Sequence, residues 1–373
     1  MRIGLQAMNI FLEGSKHAGV SRTSLCLLEA LLEISDHEYV VFIRPDFECP
    51  SHWTAMRHVK IVRTWSKTRS WAVLGRELAP RFHHLDAWFS VSGPVPKLPM
   101  KVKGSLVHDI FYRTYASTFT DQDRQIHEKM SQNIARYSSF IACNSVATAT
   151  EFSAAYGIER DKFVPLPFGI GQVSIGSAVT DTKVRLSELG VSSNKYIFSI
   201  STLEPRKNFP RLLEAFNQVA WLDCFSGINL IIAGGRGWNE GETLDAVHKF
   251  NLEDRVQFLG YIADADVPVL FSGAEFAVSA SLDEGFGVPL LEAMHYGCPL
   301  VSSDRPAMRE VGGNLPIYFE PNSVDSIANA LIAGIKRTNR EELVSSGFVR
   351  SKQFSWQKSA DLLLKHMSKL ANE

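Results

Sequence analysis

The chain has 373 residues, 45% hydrophobic and 21% charged, with a formal net charge of −1. That length exceeds one ordinary domain and fits two or three of about 100–200 residues. The composition excludes a disordered chain, and the near-zero charge excludes a nucleic-acid binder on bulk electrostatics.

From the N-terminus, Arg2-Ile3-Gly4-Leu5 opens an apolar strand pattern over 2–7, with no signal-peptide core. His17-Ala18-Gly19-Val20-Ser21-Arg22 reads as a glycine-bearing turn, and Leu25, Leu28 and Leu32 then recur at helical spacing. Strand patterns follow at 39–44, 59–64, 87–92, 103–109 and 139–145. Between the first and third of these, residues 51–82 hold seven cations (Arg57, Lys60, Arg63, Lys67, Arg69, Arg76 and Arg81) against one acid, Glu77. Trp53, Trp65 and Trp71 fall in the same stretch. It reads either as an ordinary strand and helix with core tryptophans, or as a peripheral contact with anionic membrane headgroups. Pro165-Leu166-Pro167-Phe168-Gly169-Ile170-Gly171, and a Ser/Gly/Thr-rich run to Thr182, interrupt both periodicities and mark a domain seam.

Beyond the seam, strand patterns stand at 196–202, 229–235, 256–260, 275–281, 299–304 and 316–320. They are short and apolar, as strands buried on both faces are. Leu212, Leu213, Phe216 and Val219 form a helical face after a start at Asn208, read as the cap, with Pro210 in the first turn. Strand–helix alternation in both halves predicts an α/β protein of two doubly wound Rossmann-like domains facing across a cleft. The expected division is 1–171, 172–355 and a last helix, 356–373. The five cysteines, Cys26, Cys49, Cys143, Cys224 and Cys298, include no closely spaced pair, which points to a reducing cytosol. No stretch has the ~20 apolar residues of a membrane span, so the expected setting is cytoplasmic, with any membrane contact on the inner face.

Two segments carry chemistry. Glu284-Gly285-Phe286-Gly287-Val288-Pro289-Leu290-Leu291-Glu292 follows a strand and opens a helix, and free amides at such a start favour an anion. Its two carboxylates suit a hydroxyl-rich ligand. Ser201-Thr202-Leu203-Glu204-Pro205-Arg206-Lys207-Asn208 also follows a strand, and adjacent cations there suit a diphosphate.

Together these segments resemble glycosyltransferase family four, whose members carry an E-x7-E motif (here Glu284 to Glu292) and an E-P-R-K-N segment (here Glu204 to Asn208). Gly234-Gly235-Arg236-Gly237-Trp238, Val256-Gln257-Phe258-Leu259-Gly260-Tyr261 and Phe354-Ser355-Trp356 add to the likeness. The resemblance implies the glycosyltransferase B fold, a nucleoside-diphosphate sugar donor held by the C-terminal domain, an acceptor bound by the N-terminal domain, and retention of anomeric configuration. It implies that the helix after Trp356 returns to the N-terminal domain. By residue, it implies that Arg206 and Lys207 stabilise the leaving diphosphate. Glu284 and the amides of Gly285, Phe286, Gly287 and Val288 then hold the donor sugar, Glu292 takes the ribose hydroxyls, and Gly260 and Tyr261 border the base. Val107-His108-Asp109 resembles the family's His-Asp loop, whose His faces the donor sugar, and the turn at Gly19 matches a loop approaching the diphosphate. Two departures bear on sugar and acceptor identity: only one glycine in that turn, and Tyr112 where many relatives have proline.

Asp264-Ala265-Asp266 and Asp121-Gln122-Asp123 read as helix starts rather than metal sites, and His83-His84 lacks metal-ligand spacing. No metal and no cofactor are expected. The reaction expected is transfer of a hexose, with GDP-mannose favoured as donor, to a saccharide or lipid-linked saccharide in cell-surface polysaccharide or glycolipid synthesis. Two rivals remain at this point: a nucleotide-sugar epimerase on the same fold, and a non-catalytic nucleotide-sugar-binding subunit.

Overall fold

The structure, a computed structural model, describes residues 1–8, 18–64, 74–171, 182–191, 195–237 and 240–373. His17, Trp65, Lys67, Arg69, Trp71, Trp238 and most of the Ser/Gly/Thr-rich run at the seam lie outside the described residues.

Thirteen short strands form two sheets among the described residues. β1 (Arg2–Gln6), β2 (Glu38–Ile43), β3 (Val59–Arg63), β4 (Ala87–Ser90), β5 (Val102–Val107), β6 (Phe140–Cys143) and β7 (Phe163–Pro165) make the first. β8 (Lys195–Ile200), β9 (Ile228–Ala233), β10 (Val256–Gly260), β11 (Phe276–Ser279), β12 (Leu300–Ser303) and β13 (Ile317–Phe319) make the second. The strand orders are β3-β2-β1-β4-β5-β6-β7 and β10-β9-β8-β11-β12-β13, and every pairing is parallel. Central strands such as β4 and β9 are buried almost end to end, as helices on both faces require. The fold class is therefore that read from the sequence.

The one strand that the sequence reading missed is β7. Pro165 and Pro167 mark the stretch as a seam, yet β7 is an edge strand, where a proline costs no ladder bond. Pro165 pairs with Cys143, and Leu166 N donates to Cys143 O at 2.8 Å.

Contacts divide the chain into two compact units: Met1–Gly171 with Ser355–Glu373, and Gln172–Phe354. The helix Trp356–Asn372 thus packs within the first unit. Trp356 lies on Phe168 with ring centroids 5.1 Å apart, His366 meets Phe140 edge-on, and Ser359 Oγ donates to Pro167 O at 2.6 Å. Leu363, Leu364 and Met367 are buried on the same helix.

Each sheet reverses its strand order once, between β1 and β4 in the first and between β8 and β11 in the second. At such a point the connections leave toward opposite faces of the sheet and open a crevice at the carboxyl ends of the strands. In the second unit the helix Phe209–Val219 anchors this region. Phe209, Leu212, Leu213, Phe216 and Val219 are buried on it, while Arg211, Glu214 and Gln218 are exposed. Each such side chain is worth up to about 1.5–3 kcal/mol of burial.

Asn208 precedes this helix but does not cap it with its side chain, contrary to the sequence reading. Its backbone is left-handed, with φ 61°, a conformation that Asn tolerates better than most residues. The side chain is buried and crosses to other elements instead. Nδ2 donates to Ala280 O (3.1 Å) and Pro321 O (2.7 Å), and Oδ1 accepts from Arg211 at 2.9 Å. Asn208 thus ties the turn after β8 to the ends of β11 and β13. Asn208→Ala should lower unfolding free energy by about 2–4 kcal/mol, from lost buried hydrogen bonds and a left-handed alanine. Asn208→Gly should lose less, since glycine accepts that φ. Denaturant titration checks the ranking, and equal losses in both variants would contradict it.

Candidate active site

In the second unit, the turn after β8 and the loop after β11 meet at the point where strand order reverses. Leu282 N donates to Arg206 O at 2.8 Å, joining the two backbones directly. The side chains then interlock. Glu284 Oε1 accepts from Lys207 Nζ at 2.6 Å and from Ser281 Oγ at 2.7 Å, while Glu284 Oε2 lies 3.1 Å from Arg206 Nη1. Arg206 also donates to Asp283 O at 2.7 Å and pairs with Glu204 at 2.5 Å. Arg305 donates to Leu282 O at 2.7 Å, bracing the loop from below β12. Side-chain exposure is 14% for Arg206 and 12% for both Lys207 and Glu284, so these charges are screened little by water.

Burial alone would raise the Glu284 pKa, but the charges of Lys207 and then Arg206, with the bonds from Lys207 and Ser281, outweigh it and bring it down to about 2. Burial raises Asp283, whose Oδ1 accepts from Glu284 N at 2.9 Å.

Gly287 has φ 104° and a Cβ there would fall 2.9 Å from Met308 Sδ, so the loop can turn into the helix Val288–His295 only with glycine. Pro289 sits in the first helical turn, where its missing N–H is harmless. Phe286 is buried against Phe354, and Glu292 is 4% exposed in the second turn of the helix. The loop after β9 lies against the same region: Gly234 N donates to Gly260 O at 2.7 Å, and a Cβ on Gly234 would sit 1.9 Å from Ser201 O. Tyr261, next in the chain, is 56% exposed. Of the residues singled out in the sequence, Arg206, Lys207 and Glu284 are brought into direct contact, and Gly285–Val288 share their loop.

His108 and Gly19 belong to the first unit. His108 follows β5, with Nε2 3.3 Å from Val91 O and its ring 5.7 Å from that of Phe168. Its carbonyl accepts from Asn144 Nδ2 (2.9 Å) and Thr148 Oγ1 (3.4 Å), and Asp109 Oδ1 accepts from Phe111 N. Asn144 and Thr148, which the sequence reading did not single out, therefore position this loop. Asn144 Oδ1 and Gln6 Oε1 at the same sheet edge are buried without a hydrogen-bond partner among the described residues. Tyr112 is buried and its hydroxyl bonds that of Tyr156. Gly19 corrects the sequence reading: it lies in the first turn of the helix Ala18–Leu32, not in a loop. Apolar spacing was legible only from Leu25 onward, but the helix begins a turn earlier.

The discounted acids stand at helix starts. Asp266 pairs with Arg185 at 2.8 and 3.0 Å in the turn before Val267–Gly273, and Asp121 and Asp123 lie in the first turn of Asp121–Tyr137. Among the described residues no three His, Cys, Asp or Glu side chains cluster to hold a metal. In the basic stretch, Trp53 is fully buried against Phe47 and Arg76 is buried beside Glu77, so neither meets a surface; Leu74 and Phe82 are exposed. Among the described residues no helix is long and apolar enough to cross a membrane.

Two parallel α/β units, the second with cations, carboxylates and a helix start at its switch point, have the glycosyltransferase B fold. Residues 186–347, which contain Arg206, Lys207, Glu284 and Glu292, match the family described as glycosyl transferases group 1. It is 28% identical over 273 residues to O-antigen chain mannosyltransferase B of Escherichia coli, covering 71% of this chain and 70% of that protein. It is 26% identical over 247 residues to the serotype-specific mannosyltransferase WbdA of Escherichia coli, covering 66% of this chain but only 28% of that protein. In fold it is similar to HepE of Anabaena, solved in complex with UDP-glucose, with TM-score 0.72 and 19% identity over 99% of this chain and all of that one.

Burial, partly offset by Asp109 and the bond to Val91, holds the His108 imidazole below its ordinary 6.5. A histidine kept neutral by the fold stabilises it above the unfolded value, and that contribution is lost as pH falls from 6.5 toward the lower folded value. His37, His83, His295 and His366 are lowered by burial too and add to the slope. His108→Asn should make the fall in Tm between pH 6.5 and ~5 shallower. An unchanged slope would mean that His108 is free to protonate in the folded chain.

Proposed function

We propose that the chain transfers mannose from a nucleoside-diphosphate sugar, GDP-mannose, to a saccharide acceptor of a cell-surface polysaccharide, with retention of anomeric configuration. The observation that carries this reading is the contact of Arg206, Lys207 and Glu284 beside a helix start, at the reversal of strand order in the segment matching group 1. The mannosyltransferase names of two relatives support the sugar.

In the proposed reaction the bond between the anomeric carbon and the diphosphate oxygen breaks as the acceptor oxygen bonds the same carbon from the same face. The acceptor proton passes to the departing phosphate oxygen. Arg206, Lys207 and the amides of Gly285–Val288 stabilise charge as it gathers on the diphosphate, an effect strengthened where water is excluded. Glu284 accepts from sugar hydroxyls, Glu292 from the ribose, and Gly260 and Tyr261 border the base. His108, neutral through burial, offers a hydrogen bond to a sugar hydroxyl. The acceptor is lipid-linked in the finer form of this reading. Among the described residues of 51–82, exposed Arg57, Lys60, Arg63, Arg81, Leu74 and Phe82 remain to meet a headgroup surface.

The reading is tested by incubating the chain with GDP-mannose, UDP-glucose and a mannose-terminated acceptor, and determining the linkage by NMR. An α-linked mannosyl product is expected, and an inverted linkage would refute retention. Transfer should persist in EDTA, since two cations already serve the diphosphate; loss restored by manganese would refute that. Each of Arg206→Ala and Lys207→Ala should lower kcat/KM roughly ten- to a hundredfold, the worth of a charged hydrogen bond of about 1.5–3 kcal/mol. Near-normal turnover in the double variant would remove these cations from the mechanism.

A further inference from the structure

We propose that Glu284 occupies the place of the donor's diphosphate when the site is empty, and that its exchange between the two cations and the sugar hydroxyls makes the site prefer an intact nucleoside-diphosphate sugar over the nucleoside diphosphate product. The proposal rests on the donor-site assignment above and adds to it a basis for telling substrate from product.

The geometry is that of an anion already bound. One carboxylate oxygen lies 2.6 Å from Lys207 Nζ and the other 3.1 Å from Arg206 Nη1. Glu204 pairs with Arg206 from its other side. Two cations thus face two carboxylates, and the cluster is neutral before any ligand arrives. Among the described residues, Glu284 is the only ion-pair partner of Lys207. Arg206, by contrast, keeps Glu204 and the Asp283 carbonyl whatever Glu284 does. Departure of Glu284 therefore chiefly releases Lys207, whose ammonium has three donors for phosphate oxygens.

A diphosphate entering with Glu284 in place brings like charge beside a buried carboxylate, which weakens its binding. An intact donor resolves this because its sugar supplies hydroxyl donors that a carboxylate can accept. The carboxylate swings from cation to sugar and the phosphates take its place. Once the sugar has gone to the acceptor, those hydroxyls leave with it. Glu284 then competes again for Lys207 and Arg206 and drives the nucleoside diphosphate out. Ser281 Oγ, at 2.7 Å from Glu284 Oε1, holds the carboxylate in the inward position.

The test is calorimetric titration of the full chain with UDP and with GDP, for wild type, Glu284→Gln and Ser281→Ala, with Tm measured beside each. Glu284→Gln keeps the shape and removes the competing charge. It should bind its nucleoside diphosphate at least about tenfold more tightly than wild type, while its turnover falls. Ser281→Ala loosens the inward carboxylate without removing it, so its gain should be smaller, about two- to threefold. Equal or weaker nucleoside diphosphate binding in a folded Glu284→Gln chain would overturn the exchange. Should that variant fail to fold, unchanged binding in Ser281→Ala would overturn it as well. If no variant, wild type included, binds either nucleotide, the donor-site assignment itself fails, and the exchange fails with it.

Discussion

The carboxylate of Glu284 joins two loops that are 77 positions apart in the chain. Neither loop has a strand partner at that point. The turn carrying Arg206 and Lys207 is a single 3-10 turn, and the loop carrying Glu284 bends through a left-handed glycine into a helix. Their relative placement rests on the ion pairs, on the Leu282–Arg206 backbone bond and on Asn208 reaching to Ala280. Removing one partner of such a buried pair costs about 3–5 kcal/mol, because the remaining charge is stranded. The pairing is therefore a constraint on shape first, and fixed charges aimed at one place are what catalysis of group transfer requires.

Parallel topology explains why this constraint falls where it does. β8 and β11 are neighbours whose connections diverge, so the ends of both strands are left uncovered by the sheet itself. The first unit repeats the arrangement at β1 and β4, with the His108 loop one strand further on at β5. There the ordering forces are neutral hydrogen bonds from Asn144 and Thr148 to the His108 carbonyl rather than ion pairs. The two units thus reach the same kind of sheet edge with different chemistry: charged in the second, amide and imidazole in the first.

Much of this was legible in the amino-acid order. Apolar runs such as Tyr196-Ile197-Phe198 and Asn229-Leu230-Ile231-Ile232 could only be buried strands, and the helical face of Leu212, Leu213, Phe216 and Val219 is buried as its spacing requires. What was not legible was long-range. Nothing local tells that Glu284 closes on Lys207, because that contact depends on which strands become neighbours. Asn208 reads as a helix cap by its position before Phe209-Pro210, but its amide finds carbonyls 72 and 113 residues away and its backbone turns left-handed to reach them. Pro165 hid β7 because a proline argues against a strand unless the strand is at an edge. Trp53, for which the basic stretch left a core and a membrane-facing reading open, is fully buried, and neighbouring charge could not decide which side of a short helix faces inward.

The membership of Trp356–Asn372 in the first unit has a consequence for how the protein is made. A ribosome delivers the second unit as one uninterrupted piece, able to close its sheet as soon as it emerges. The first unit has to wait for its last helix until the whole of the second has been translated, roughly 10–40 s at 5–20 residues per second. During that interval the faces around Phe140 and Phe168, which His366 and Trp356 cover in the finished protein, stay open to water. The nascent first unit is therefore the one left incomplete for longer, although it leaves the exit tunnel before the second.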